Sequence, residues 1–526
     1  MPKVLIADKL SPSAVEVFRQ RGVEADYDVG LSPEDLKEKL PHYDGLAVRS
    51  ATKATADILS AAPGLRVIGR AGIGVDNIDV DAATQNGTVV MNTPGGNAIT
   101  TAEHAISLML SLARRIPAAN ESTKAGKWEK SKFTGVEVTH KTLGLIGCGN
   151  IGAIVADRAR GLKMRVLVYD PYLSNERARD LGVRKADSLD SLYAESDFIT
   201  LHVPLTDSTK GMVDAAAFAK MKSGVRLMNC ARGGLVVESD LKDAIESGQV
   251  AGAAIDVFAE EPARENPLFD LPETICTPHL GASTTEAQEK VAVQIAEQMS
   301  DYLMTGAVSN ALNMPSLTAE ESERLGPYMK LAEQLGSFAG QLTESGLKGV
   351  RLDYEGHVAT LNTRPLTHMC LASVLKPMLD SVNMINAPVI AREREIAVSE
   401  TAHESARDYH TMIRLTVETE RQTRSVAGSL FGGDKARLVE IKGIPIEAEL
   451  GPHMLYITNA DKPGLIGNLG ATLGNAGVNI ATFHLGRTGA GQDAIALIEV
   501  DGEIPETVLA DVRDLPHIKQ AKPLRF

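Results

Sequence analysis

Over roughly the first 315 residues, short apolar runs alternate with stretches of helical period. KVLIAD, GLAVRS, RVIGRA, TVVMN, TLGLIG, RVLVYD, FITLHV, VRLMNC, VAGAAIDVF and ETICTP read as strands. Such alternation predicts parallel sheets with crossover helices. TTEAQEKVAVQIAEQMSDYLMTG (284–306) predicts a long helix that ends in glycine. After NALNMPSLTAEE the pattern changes. ESERLGPYMKLAEQLGSFAGQL reads as a helix, and GVRLDYEG, TMIRLTVET, ARLVEIKG and IPIEAEL read as alternating strands with Gly and Asp turns, an α+β module. A strand, loop, helix and strand then open the last unit, from residue 452.

Length and composition bound what these elements build. A chain of 526 residues exceeds one ordinary core, so about three or four domains are expected. The apolar share of 44% and charged share of 23% are those of a globular protein. A net charge of −14 argues against a nucleic-acid footprint, which needs a basic face. No apolar run approaches the length of about 20 residues that spans a bilayer, and MPKVLIADKLSP resembles no targeting segment, so a cytoplasmic protein without a membrane partner is expected. Cys148, Cys230, Cys276 and Cys370 are widely spaced and form no CxxC pair, which favours buried thiols over disulfides or a metal site.

The most informative pattern is TLGLIGCGNIGAIVADRARGLKMRVLVYDP (142–171). Gly147, Gly149 and Gly152 form GxGxxG directly after a strand and at the start of a helix. Gly147 suits the tight turn, Gly149 lets backbone approach a pyrophosphate, and Gly152 lets helix pack on strand. The helix N-terminus adds free N–H groups for phosphate. The next strand ends in Asp170, placed for a ribose hydroxyl; its charge repels a 2′-phosphate, so NAD is expected rather than NADP. RAGIGVDN (70–77) breaks the glycine spacing and reads as a backbone-rich substrate loop.

Three polar residues sit at or past strand ends downstream: Arg232 in NCARGGLV, Glu261 in DVFAEEP and His279 in CTPHLGAST. Ligands of doubly wound folds lie outside the carboxyl ends of strands, so all three are expected in one crevice. Oxidising an alcohol with a nicotinamide needs a proton acceptor and a substrate anchor. Histidine suits the first role, and a guanidinium facing a carboxylate suits the second. A carboxylate behind the histidine fixes its tautomer.

Together, GLIGCGNIG, VYDP, CARGGLV, AAIDVFAEEP and TPHLGAST resemble the D-2-hydroxyacid dehydrogenase family over about residues 1–315. VRSATKATAD, GRAGIGVDNID and NTPGGNAITTAEH are similar to its branch that oxidises 3-phospho-D-glycerate, in the long form with an intervening domain and a C-terminal ACT domain. The resemblance implies two Rossmann-like doubly wound α/β lobes, the outer one discontinuous (1–97 with 287–313) around an NAD-binding lobe (98–286). An α+β intervening domain (314–451) and a βαββαβ ACT domain (452–526) follow.

It also implies roles. Arg232 binds the substrate carboxylate, His279 exchanges the proton and Glu261 partners His279. NAD lies against Gly147, Gly149, Asn150, Ile151, Gly152, Asp170, Val203, Pro204, Cys230, Ala231, Asp256 and Gly281. Substrate contacts fall to Arg49, Ser50, Gly74 and Asn97. Lys132 joins them from GKWEKSKFTG, a segment that packs at a dimer interface in the family and reaches the neighbouring site. YITNADKPGLIGNLGATLGNAGVNI matches the ACT pattern, and Asn459, Asp461 and Asn479 stand where paired ACT chains hold an amino acid; L-serine is the expected effector of a dimer or tetramer. Two other readings compete. One is a reductase of another 2-oxo acid, such as hydroxypyruvate, glyoxylate or 2-oxoglutarate. The other is an NAD(H)-sensing corepressor or scaffold, which has the same fold but no ACT tail.

Overall fold

The computed structural model describes residues 1–379, 381–405 and 408–526. Its first lobe is a five-stranded parallel sheet in the order Glu24–Tyr27, Lys3–Ile6, Gly45–Val48, Val67–Arg70, Val89–Asn92. The long helix Thr285–Thr305 returns to this lobe. Thr284 caps its start by accepting the Ala287 N–H, and Gly306 (φ 76°) ends it in a left-handed turn. Val291, Ile295, Met299 and Leu303 recur every four residues along it. That stripe is buried in one core with Val4, Phe18, Val67 and Met91.

The second lobe is a seven-stranded parallel sheet. Its order is Thr274–Cys276, Val250–Ile255, Val225–Asn229, Phe198–Leu201, Thr142–Ile146, Arg165–Tyr169, Arg184–Lys185. The chain runs outward from Thr142–Ile146 and then returns to the other side at Phe198–Leu201. The strand order therefore reverses between those two, which is where doubly wound sheets open a ligand crevice. Helix Ala98–Arg114 joins the lobes. Its Ala102, Ala105, Met109 and Leu112 pack with Val155 and Ala159 of helix Asn150–Gly161.

Helix Ala319–Gln341, started by a reciprocal Thr318–Glu321 capping box, leads into the third unit. Its six-stranded sheet runs Ala397–His403, Leu347–Gly356, Thr411–Thr419, Thr423–Phe431, Lys435–Ile441, Ile444–Ala448; the first pair is parallel and the rest antiparallel. Asn383 and Asn386 dock this unit on the first lobe by donating to the carbonyls of Gly87 (2.9 Å) and Gln85 (3.2 Å). The last unit is βαββαβ, an antiparallel sheet ordered Ile480–Arg487, Asp493–Val500, His453–Ala460, Ile518–Arg525. Alternate residues of its central strand face opposite ways. Leu455 and Ile457 pack under its own helices, while Tyr456 meets Phe338 of the preceding helix edge-on at 5.7 Å.

Four strands are additional to those expected: Glu24–Tyr27, Arg184–Lys185, Ala397–His403 and Thr423–Phe431. The first three lie at sheet edges. Edge strands carry little of the apolar signal that marks a buried strand, and every residue of Ala397–His403 is exposed. Among the described residues no helix is long and apolar enough to cross a membrane.

Candidate active site

The glycine loop is built as its spacing requires. Gly147 has φ 90°, and a Cβ there would lie 2.4 Å from the His202 carbonyl; one on Gly152 would lie 2.2 Å from the Gly147 carbonyl. Gly149 caps helix Asn150–Gly161 and has open space where a Cβ would point, so backbone is free to meet a diphosphate there. Asp170 braces the loop: its carboxylate accepts the N–H groups of Cys148 and Tyr172, both at 2.8 Å.

From this loop a crevice of about 290 Å³ runs between the lobes. Gly149, Asn150, Ile151, Val203, Pro204, Cys230, Ala231 and Gly281 line it together with Gly74, Arg232 and His279. A second cavity of about 750 Å³ continues from it and is lined by Arg49, Ser50, Lys53, Asn97, Glu261 and His279. His279, Asn97, Arg70 and Asp76 belong to both, so the two form one cleft.

His279 sits in the left-handed region (φ 54°), a conformation that costs a non-glycine residue energy and is held by its surroundings. Its N–H donates to the Asp256 carbonyl at 2.9 Å. Its Nδ1 lies 2.8 Å from Glu261 Oε2, and Glu261 Oε1 accepts the Phe258 N–H at 3.0 Å. Burial opposes ionisation of Glu261, yet the His279 and Phe258 hydrogen bonds hold its carboxyl below the ordinary range. An ionised carboxylate only accepts, so Nδ1 carries the proton and Nε2 is left as a base toward the cleft.

Arg232 follows strand Val225–Asn229. Its Nε donates to Asp76 Oδ2 at 3.1 Å and its Nη1 to the Ala231 carbonyl at 2.7 Å. Its Nη2 lies so close to Gly74 that a Cβ there would be 1.9 Å away. The arginine is thus aimed from the second lobe at the substrate loop of the first. Asp8, itself buried, fixes the opposite rim: its carboxylate accepts N–H groups of Arg49, Ala51 and Thr52.

Comparison with known proteins now bears on this cleft. Residues 106–281 match the NAD-binding domain of D-isomer specific 2-hydroxyacid dehydrogenases, 324–442 the intervening domain of D-3-phosphoglycerate dehydrogenase, and 453–517 the ACT domain. The D-3-phosphoglycerate dehydrogenase of Synechocystis sp. is 42% identical over 523 residues, covering 99% of this chain and 94% of its own. The chain belongs to the D-3-phosphoglycerate dehydrogenase family. The Bacillus subtilis member is 40% identical, with 99% of each chain covered. Among solved structures, a glyoxylate reductase from Paecilomyes thermophila is similar over 59% of this chain and 98% of its own (29% identity, TM-score 0.55). The D-lactate dehydrogenase of Escherichia coli is similar over 59% and 100% (28% identity, TM-score 0.53).

Within this oxidoreductase of the NAD-dependent D-2-hydroxyacid type, the cleft holds a residue that the sequence pattern did not single out. Arg70 ends strand Val67–Arg70, is largely buried, and lines both cavities. Among the described residues its Nε finds no hydrogen-bond partner. Burial, then the nearby Arg232 charge, push its pKa down to about 10, so it stays a cation at neutral pH. The signal was available: Arg70 follows an apolar strand just as Arg232 does. Asn97 likewise turns an unpartnered Oδ1 into the site.

Gly147, Gly152 and Asp170 build the glycine loop without lining either cavity, and Lys132 and Asp256 also stand apart from the cleft. Lys132 is exposed, pairs with Glu129 at 3.7 Å and lines neither cavity. Asp256, expected against NAD, has no exposed surface, and its carboxylate grips protein donors behind the cleft wall.

In the ACT unit, Asn459 is buried and its Oδ1 has no partner among the described residues, and neighbouring Asp461 accepts from Arg487 (3.0 Å) and the Gly491 N–H (3.3 Å). Asn479, bonded to Asp501 at 2.7 Å, is not beside them. Asn459 pairs with Ala494 while Ile480 pairs with Val500, so Asn479 lies at the other end of the sheet, roughly 20 Å away.

Proposed function

We propose that this chain oxidises 3-phospho-D-glycerate to 3-phosphohydroxypyruvate with NAD⁺, the entry to L-serine synthesis. The layout of charge carries this reading: Arg232 lines the narrower cavity with His279, Arg49 and Lys53 line the wider one, and the partly buried Arg70 lines both. A substrate with a carboxylate at one end and a phosphate at the other meets a cation at each. Arg232 takes the carboxylate through its Nη edge and polarises the 2-oxo group, and Asn97 adds a hydrogen bond. Arg70, Arg49 and Lys53 take the phosphate, with Ser50 and the Gly74 backbone beside them.

When bound at the glycine loop, NAD⁺ supplies the hydride acceptor. The unfilled space at Gly149, the free helix N-terminus and the Asp170 carboxylate fit that group. His279 Nε2 removes the hydroxyl proton, and Glu261 stabilises the imidazolium that results. Help of this kind is worth about 10²–10⁴-fold in rate.

The ACT unit takes L-serine as effector, in this reading, between two chains of a homo-oligomer. Asn459 and Asp461 of one chain complete a site with Asn479 of another. Loss of NADH at 340 nm tests the whole, with 3-phosphohydroxypyruvate set against hydroxypyruvate, glyoxylate and 2-oxoglutarate. Preference for the phosphorylated acid and suppression by serine are expected. Equal rates on the unphosphorylated acids would move the enzyme to another 2-oxo acid, and no turnover with tight NADH binding would favour the sensor reading.

A further inference from the structure

Helix Ala98–Arg114 touches the loop that carries His279, including His104 Nε2 at 3.4 Å from Thr277 Oγ1, and the Asp256 carboxylate behind it. Thr101 Oγ1 donates to the Gly281 carbonyl at 3.0 Å, Thr100 and Thr284 hydroxyls lie 3.4 Å apart, and His104 Nε2 lies 3.1 Å from Asp256 Oδ1. Asp256 is the hub of that loop. Oδ1 also accepts Thr277 Oγ1–H at 2.6 Å and Leu280 N–H at 2.8 Å, Oδ2 accepts Gly281 N–H at 2.9 Å, and its main-chain carbonyl accepts the His279 N–H at 2.9 Å. Residues 277–281 are thereby tied to one carboxylate from both sides of His279. His279, in the left-handed conformation, lies between those ties.

A carboxylate with no exposed surface depends on every donor it has. Burial opposes its ionisation; the His104, Thr277 and Leu280 hydrogen bonds together outweigh it and hold the carboxyl below its ordinary range. An ionised acid only accepts, so His104 presents Nε2–H to it. The Cys230 thiol is also near: the ligand atoms of His104, Cys230 and Asp256 lie within 4.8 Å of one another, as around a metal. Burial pushes the Cys230 thiol up, away from the thiolate a metal needs, and both Asp256 oxygens already accept hydrogen bonds.

We propose that His104 is a positioning residue for His279: its hydrogen bond to Asp256 holds in place the carboxylate that ties down residues 277–281, which fixes the catalytic loop against the helix joining the lobes. The proposal rests on the reading of His279 as the group that exchanges the proton. Losing the donor leaves the carboxylate under-satisfied and the loop loose, so the chemical step suffers while Arg232, Arg70 and Arg49 still bind substrate.

The test compares His104→Leu, His104→Gln and Thr277→Val with the wild-type enzyme in 3-phosphohydroxypyruvate reduction, with NADH affinity followed by fluorescence. His104→Leu is expected to lower kcat at least about tenfold, with KM for the keto acid and Kd for NADH within about threefold. His104→Gln, whose amide can still donate, is expected to recover most of the rate. Thr277→Val, which removes another donor from the same oxygen, should repeat the kcat-selective loss. Wild-type kcat in both His104→Leu and Thr277→Val would overturn the proposal, as would a Gln variant no better than Leu. So would loss of wild-type activity on dialysis against a chelator and its return with Zn²⁺, which would make the cluster a metal site. A wild-type enzyme inert toward every 2-oxo acid would remove the reading of His279 itself, whereas an active one indifferent to His104→Leu removes only the positioning role.

Discussion

The cleft and the ACT unit use the same materials, polar side chains at or just beyond strand ends, and finish differently. In the cleft, Arg70, Arg232, Glu261 and His279 come from four separate segments and converge within one chain. In the ACT unit, Asn459 and Asn479 come from one short motif and lie at opposite ends of the sheet. Doubly wound lobes gather the carboxyl ends of parallel strands at one edge, so distant residues meet. An antiparallel sheet sends successive strand ends to opposite edges, so near residues separate. A motif compact in sequence therefore does not gather its polar residues within one copy, and the proposed effector site needs a second copy to bring them together.

The largest effect that sharpens this contrast lies in the cleft. His279→Ala is expected to lower kcat about 10²–10⁴-fold with NADH affinity retained, because the lost group acts on the proton and not on cofactor. Single-turnover kinetics with NADH fluorescence separates the two. Next, Glu261→Gln is expected to lower kcat about tenfold or more, since the amide leaves the Nδ1 proton without an anion behind it.

On the ACT side, Asn459→Ala and Asn479→Ala should each leave kcat unchanged and abolish suppression by serine. Co-expressing the two variants should restore part of it, since a mixed pair keeps one intact site. Inhibition surviving in both single variants would break the contrast, and so would a mixture with none.

The smallest effect is on stability. The Glu261 carboxyl is held below its ordinary value of 4.5 in the folded chain, so its contribution is present above that pH and is lost as pH falls through the lower folded value. The Tm difference between wild type and Glu261→Gln should therefore be flat from about pH 8 to 5 and shrink below about pH 4. A difference that grew in acid would reverse the sign assigned to Glu261.

Much of this architecture was legible because buried parallel strands are continuous apolar runs and because GxGxxG has a fixed structural context. The long helix and the opening strand, helix and strand of the tail follow from such local patterns; the discontinuous outer lobe and the full βαββαβ order follow from the family resemblance. Arg70 was passed over because RAGIGVDN draws attention to its glycines, while its burial and orphaned Nε exist only in the folded chain. His104 is one of 12 histidines, and its tie to Asp256 spans the helix between lobes and a strand end far along the chain. Asp76, which holds Arg232 from the first lobe, was likewise invisible: no local rule couples residues 156 apart.

The most direct test of the account is the ratio of kcat/KM for 3-phosphohydroxypyruvate over hydroxypyruvate, measured in wild type and in Arg70→Met. A charged hydrogen bond to phosphate is worth about 1.5–3 kcal/mol, so the account predicts that the ratio falls about 10–100-fold, with hydroxypyruvate turnover little changed. An unchanged ratio, with both substrates weakened alike, would contradict it: the buried arginine would then shape the cleft without reading the phosphate.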